Sequence, residues 1–314
     1  MPRDDTAEGT VTPPFLPVTA TGARTPANPQ LAGGTGRVRD LRRRDALRLL
    51  ARFRALRADQ IERLLFAEGP LRGESRRVAT HRIVGDLRRR GLVDAVTIAG
   101  SVRRPARGYV LTADGRRVYA AEDPAYPLRR MRVPSVVFLE HATMLADIAV
   151  ALRDAARRGE VGLVWESDWE AVARLGSATA IPDALVTFEH AGWHTRAFIE
   201  ADRSTEHDEA FASKVRRYVQ LYLADAWRTA LASWPLILMI TTSDVRAREL
   251  ARVAYRVCAS EGGLRIAKAF RATSLEHFST SPFGPIWYLG VSASRVGILE
   301  APTTSAADVG TSTP

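Results

Sequence analysis

The stretch Ile181-Pro182-Asp183-Ala184-Leu185-Val186-Thr187-Phe188, then His190-Ala191-Gly192-Trp193, then Thr195-Arg196-Ala197-Phe198-Ile199-Glu200-Ala201-Asp202 reads as a β-hairpin. Two apolar runs rich in β-branched and aromatic residues flank a short polar turn. With the turn centred between Ala191 and Gly192, each residue of the first strand meets its mirror position in the second, and Asp183 falls opposite Glu200. Directly opposed side chains have Cβ atoms ~4.5–5.5 Å apart, and like charges there are destabilising. Two carboxylates so placed need a cation between them, or one must stay protonated. Asp202 lies two residues on and shares the face. Such an acidic cluster suits a hard divalent ion such as Mg²⁺, which takes carboxylate oxygens and keeps several waters. A one-residue slip in register would take Glu200 out of direct opposition.

Working outward, residues 206–223 read as a helix, and Leu236 to Thr241 as a continuous apolar strand buried on both faces. A helix over 244–260 and a last strand over 265–272 follow. Upstream, 134–160 reads as one helix with Leu145, Ile148, Ala149 and Leu152 on its apolar stripe. Residues 161–172 alternate, which predicts a strand with Glu166, Asp168 and Glu170 on a wet face.

Residues 37–121 read as three helices, a hairpin and a fourth helix. The helices fall at about 40–54, 58–67 and 75–90, with Ser75 capping the third and Gly91 ending it. Strands over 93–98 and 109–111 flank a polar turn, and Thr112 caps a helix with Val118 and Tyr119 inward. This is the order of a winged helix-turn-helix. A recognition helix presents its N-terminal residues to base edges in the major groove. Here these are Arg76, Arg77, Thr80 and His81, residue types that hydrogen-bond bases. Arg103, Arg104 and Arg107 in the wing can reach phosphates or the minor groove. Arg88, Arg89 and Arg90 suit the backbone or the negative helix end.

The charge distribution points the same way. Residues 37–123 hold 22 Arg against 11 acidic residues, whereas 134–301 hold 18 basic and 20 acidic ones. A basic module beside a near-neutral one implies a polyanion partner, either nucleic acid or an anionic membrane, and with the winged-helix order double-stranded DNA is the expectation. The chain of 314 residues has room for about two domains at ~100–200 residues each. Residues 1–36 and 302–314, rich in small and polar residues, read as disordered tails, and the Pro- and Arg-containing stretch 124–133 as a linker before a domain over 134–301. The longest apolar runs are far short of a ~20-residue membrane span, and Met1 to Thr10 lack the apolar core of a secretory signal. The lone Cys258 excludes an internal disulfide, so a reducing cytoplasm is expected. Among the histidines, His141, His190, His194 and His207 lack zinc spacing, and no phosphate-binding Gly-Lys-Ser/Thr loop occurs.

Pro182-Asp183 followed by Glu200-x-Asp202 at the end of the next strand resembles the PD-(D/E)xK nuclease superfamily. More closely, Pro182-Asp183-Ala184-Leu185, then Glu200-Ala201-Asp202-Arg203-Ser204-Thr205-Glu206, then Lys214 and Tyr218 resemble the replication-relaxation family over about residues 37–290. That family couples a winged helix to such a domain and is associated with plasmid replication and mobilisation. The resemblance implies an α/β (α+β) chain: a winged helix-turn-helix followed by a restriction-endonuclease-like domain with a mixed central sheet. It implies metal-assisted phosphodiester hydrolysis, with Asp183 and Glu200 holding Mg²⁺, and replication or mobilisation proteins or a second copy of the chain as partners. The third motif position, where the nucleases have Lys, is Asp202 here. Lys214, on the following helix, can take that role, whereas the guanidinium of Arg203 stays charged. Two other readings remain: a non-catalytic regulator whose second domain dimerises, and a protein-binding adaptor.

Overall fold

The computed structural model describes residues 34–67, 71–98, 106–128, 135–176, 180–204 and 208–299. The tail readings for 1–33 and 302–314, the linker arginines of 129–132, Glu206 and His207, and the wing residues Arg103 and Arg104 lie outside the described residues.

The front unit runs α1 (Gly34–Phe53), β1 (Leu56–Arg57), α2 (Ala58–Leu65), α3 (Gly73–Arg89), β2 (Val93–Ile98), β3 (Ala106–Leu111) and α4 (Ala113–Glu122). Apart from the short strand β1, which the sequence reading does not include, this is the expected element order, with α1 beginning inside the stretch read as a tail. Its three-stranded sheet has the order β1-β3-β2, antiparallel throughout. Ala46, Leu47, Leu50 and Phe53 of α1, Ile61 and Leu64 of α2, and Ile83 and Leu87 of α3 are buried together, as their helical spacing requires. α3 starts two residues before Ser75, with Arg72 as N-cap, so Ser75 lies in the first turn. Gly91, at φ +71°, ends the helix as expected. Thr112 caps α4 by accepting the Gly115 N–H at 3.0 Å. Tyr119 is buried against Tyr126, but Val118 is exposed.

The second unit runs α5 (Val136–Arg158), β4 (Gly162–Ser167), α6 (Asp168–Leu175), β5 (Ala184–His190), β6 (Trp193–Asp202), α7 (Asp208–Leu223), β7 (Leu236–Thr241), α8 (Asp244–Ser260), β8 (Phe270–Ser274), α9 (Leu275–Thr280), β9 (Trp287–Leu289) and β10 (Ser292–Val296). One seven-stranded sheet has the order β10-β9-β8-β7-β6-β5-β4. β6, β7 and β8 are parallel, and the remaining pairings are antiparallel. The chain is therefore of the mixed α/β class. The central β7 is apolar on both faces: Leu238 and Ile240 join the core under α5, Ile237 and Met239 the core under α7 and α8.

Two elements depart from their sequence pattern. The alternation over 161–172 is interrupted at Ser167, where Ser167 and Glu170 form a capping box and open α6. Asp168 and Glu170 thus leave the expected wet strand face for a helix N-terminus, and Glu166 is buried and paired with Arg174 at 2.7 Å. Residues Leu264–Ala269 form a 3₁₀ turn, and the last strands lie further on.

The hairpin has the expected register. Seven pairs run from Ala184 with Ile199 to His190 with Trp193. The turn has positive φ at both central residues, Ala191 at +49° and Gly192 at +80°. This is the type I′ signature that suits the twist of a hairpin.

The two units share one hydrophobic core. Leu50, Phe53 and Ile61 cluster with Leu145, Ile148, Leu152, Val186 and Leu238. The Phe53 and Trp165 rings lie 5.5 Å apart. Around this core Arg52 pairs with Glu170 at 2.6 Å, Arg54 with Asp168, and Arg57 with Asp147 at 2.6 Å. The buried Gln60 donates to the Thr143 carbonyl and to Asp147, each at 2.8 Å.

Candidate nucleic-acid interface and acidic centre

The N-terminal half of α3 presents Arg77 and His81 to solvent, with Arg76 half-buried and its Nε donating to the Leu71 carbonyl at 2.6 Å. Thr80, expected among the base-contacting residues, is 1% exposed. It belongs to the inner stripe with Ile83, Val84 and Leu87, and its hydroxyl donates to the Arg76 carbonyl at 2.9 Å. Spacing of three and four residues puts it on the core face, so it is withdrawn from any base edge. Arg77 and His81 line a surface groove of about 640 Å³ with Arg107 of β3 and Arg57 of β1. At the other end of α3, Asp86 pairs with Arg43 at 2.6 Å, Arg90 at 3.0 Å and Arg89 at 3.1 Å, which offsets the basic run there.

The acidic centre forms where β5 begins and β6 ends. The ladder stops at Ala184 and Ile199, so the expected direct Asp183–Glu200 pair is not part of it; just before β5 the Asp183 N–H donates to the Ile199 carbonyl at 3.1 Å, one residue out of the ladder's register. The Asp183 carboxylate accepts the Ala201 N–H at 2.8 Å and meets His141 Nε2, from α5, at 3.2 Å. Glu200 shares the side of β6 that bears Phe198, facing α7, and is 3% exposed. Lys214 and Tyr218 stand one helical turn apart on α7 and take one oxygen each: Lys214 Nζ lies 2.5 Å from Oε2, and the Tyr218 hydroxyl donates to Oε1. Burial pushes the Glu200 carboxyl up to about 7, against the pull of the Lys214 ammonium, and the nearby Asp183 charge adds to the rise. Burial would raise Asp183 too, but the His141 hydrogen bond and the Lys214 ammonium hold it below the usual carboxylate range. The Asp183 hydrogen bond in turn raises His141. Each neighbour thus places a donor or positive charge against two acids, which lets one of them ionise fully.

The sequence model of one family, described as replication-relaxation, matches residues 47–237. The chain belongs to the replication-relaxation family. No curated protein and no solved structure matches it. The family is associated with plasmid replication and mobilisation, and its match spans α3, Asp183, Glu200 and Lys214.

Within this family member the candidate residues separate into two groups. Lys214 contacts Glu200, and Asp183 stands near enough for its charge to act on both. Asp202 shares the face of Glu200 but is drawn to other partners: the Thr241 hydroxyl at 2.9 Å, Arg246 Nε at 3.2 Å and the Ser204 N–H at 3.2 Å. Arg246 projects from the first turn of α8, so the parallel β6–β7 pairing decides where Asp202 points. Arg203 pairs with Glu140 of α5. Tyr218 stands beside Lys214 in the family resemblance without a partner assigned to it, and His141 is a contact the sequence offered no local reason to choose, since it lies forty-odd residues before Asp183 on a different layer. Among the described residues no group of three or more His, Cys, Asp or Glu side chains stands together to hold a metal ion. Asp183 and Glu200 are carboxylates, the oxygen donor type that Mg²⁺ takes and not the ligand set of a closed zinc cage, and in this arrangement the Glu200 oxygens face Lys214 and Tyr218. No described helix is long and apolar enough to cross a membrane.

Proposed function

We propose that this replication-relaxation protein binds duplex DNA through its front unit, acting as a winged helix, and cleaves a phosphodiester at a PD-(D/E)xK-like centre made by Asp183, Glu200 and Lys214. The observation that carries this reading is the contact of Lys214, from α7, with Glu200 at the end of β6 at 2.5 Å, with Asp183 just before β5 close enough for its charge to act on both. The residue type at the third position supports it. Of 45 basic residues only two are lysine, and one of them contacts Glu200. A compact ammonium can polarise a water and offset phosphate charge in a way that a planar, bulkier guanidinium does not.

Asp183 and Glu200 would hold Mg²⁺, which supplies Lewis-acid polarisation of the phosphodiester and a lower water pKa. Lys214 holds the attacking water against the phosphate. Tyr218 fixes the second oxygen of Glu200, and His141 orients Asp183. The water oxygen forms the new P–O bond, the ester oxygen leaves with the bonding pair, and the displaced proton passes to that oxygen or to solvent.

One observation favours a second reading, a DNA-binding regulator without catalysis: both oxygens of Glu200 are held by protein donors. Incubation of supercoiled DNA with Mg²⁺ separates the two. Nicking by the unaltered protein should rise about tenfold from pH 6 to pH 8, as a carboxyl titrating at about 7 ionises. Asp183→Ala and Lys214→Met should each lower it by about 10²–10³-fold, the scale of losing an electrostatic catalytic group. Equal nicking by the variants dismisses this centre. No nicking with any divalent ion, alongside intact DNA binding, assigns the regulator role.

A further inference from the structure

We infer that the duplex-binding surface crosses from the front unit onto the second, where Arg157 and Arg158 at the C-terminal end of α5 grip backbone phosphates. The inference rests on the DNA-binding reading and extends it. A second groove, of about 370 Å³, lies between the units and is lined by Arg63, Ala67, Arg76, Asp154, Arg157 and Arg158. Four arginines face a single acid there, and that acid is taken by Arg63. Arg157 and Arg158 are exposed and make no ion pair among the described residues.

The two grooves are arranged about α3. Arg76 and Arg77 are consecutive on the helix, hence about 100° apart around its axis. Arg77 lines the groove with His81 and Arg107, and Arg76 lines the one with Arg157 and Arg158. A helix inserted in the major groove has one phosphate strand along each flank, the groove being about 12 Å wide. The first groove therefore meets one strand, and the inter-unit groove meets the other. The shared core and the bonds of Arg57 and Gln60 to Asp147 and Thr143 hold α5 against the front unit that carries α3, so the track needs no domain movement to form.

The test is fluorescence anisotropy of a 30-base-pair duplex of arbitrary sequence with the full chain, from 50 to 200 mM salt. Each neutralised phosphate contributes about 0.9 to the slope of log K against log salt. Arg157→Gln with Arg158→Gln should flatten the slope by about 1.8 and leave thermal stability unchanged. Arg252→Gln with Arg256→Gln, exposed on α8 across the sheet, removes the same charge and should leave the slope as it is. An unchanged slope in the α5 variant, or an equal loss in the α8 variant, overturns the inference while the DNA reading stands. Absence of duplex binding by the unaltered chain at 50 mM salt overturns both.

Discussion

Replacing Glu200 by Gln removes one charge while keeping the shape of the side chain, and its effect on stability should depend on pH. In the folded protein burial lifts this carboxyl from 4.5 to about 7. The folded state therefore keeps a proton that the unfolded chain releases between those values, and stability falls as pH rises through that window. At about 1.36 kcal/mol per pH unit of displacement, the carboxyl disfavours the fold by roughly 3 kcal/mol well above pH 7 and by under about 1 kcal/mol at pH 5. A glutamine has no such dependence. His141, raised by Asp183, loses its contribution as pH climbs through its folded value, and Asp183, held low, loses its own only in acid. Both proteins share those two contributions apart from the smaller coupling of each to the Glu200 charge, so the main difference between the two curves is Glu200 itself. Lys214 keeps a counter-charge in Asp183. Urea unfolding in EDTA at pH 5 and pH 9 should show the unaltered protein losing about 2–3 kcal/mol more than Glu200→Gln over that span. Stability curves for the two proteins that run parallel within about 0.5 kcal/mol would refute the claim that Glu200 is held protonated by burial.

Two further substitutions probe how the units are built and joined. Asp147→Ala removes the acceptor shared by Arg57, at 2.6 and 3.2 Å, and Gln60, at 2.8 Å. It should cost about 1–2 kcal/mol in a single urea transition, since both units draw on one core. A separate early transition of the front unit would contradict the shared core. Thr112→Ala deletes the N-cap of α4 and the hydroxyl bond to the Gly91 carbonyl at 2.6 Å. Its expected cost is about 1–2 kcal/mol by thermal melting, with Thr112→Ser recovering most of it.

Local chemistry in the sequence determined a good deal. Helical spacing placed Leu47, Leu50, Ile83 and Leu87 inward, the type I′ turn at Ala191-Gly192 set the hairpin register, and the apolar run Leu236 to Thr241 marked the central strand. Each rests on periodicities of 3.6 or 2 residues, or on φ preferences of single residues, which act over a few positions. The same spacing also decided Thr80, which one more turn of counting along α3 puts on the core side. What tertiary structure alone decided were the pairings across layers. Lys214 and Tyr218 reach Glu200 because α7 packs on the β6 face that bears Phe198, and His141 of α5 reaches Asp183 just before the first residue of β5. Arg246 takes Asp202 because β7 lies parallel to β6 and delivers α8 beside it. Burial then sets the protonation of Glu200, a property of the surrounding dielectric and charges rather than of any neighbour in the chain. Side chains far apart in sequence meet only when whole apolar faces are buried together, and that collapse has no signature in a window of a few residues.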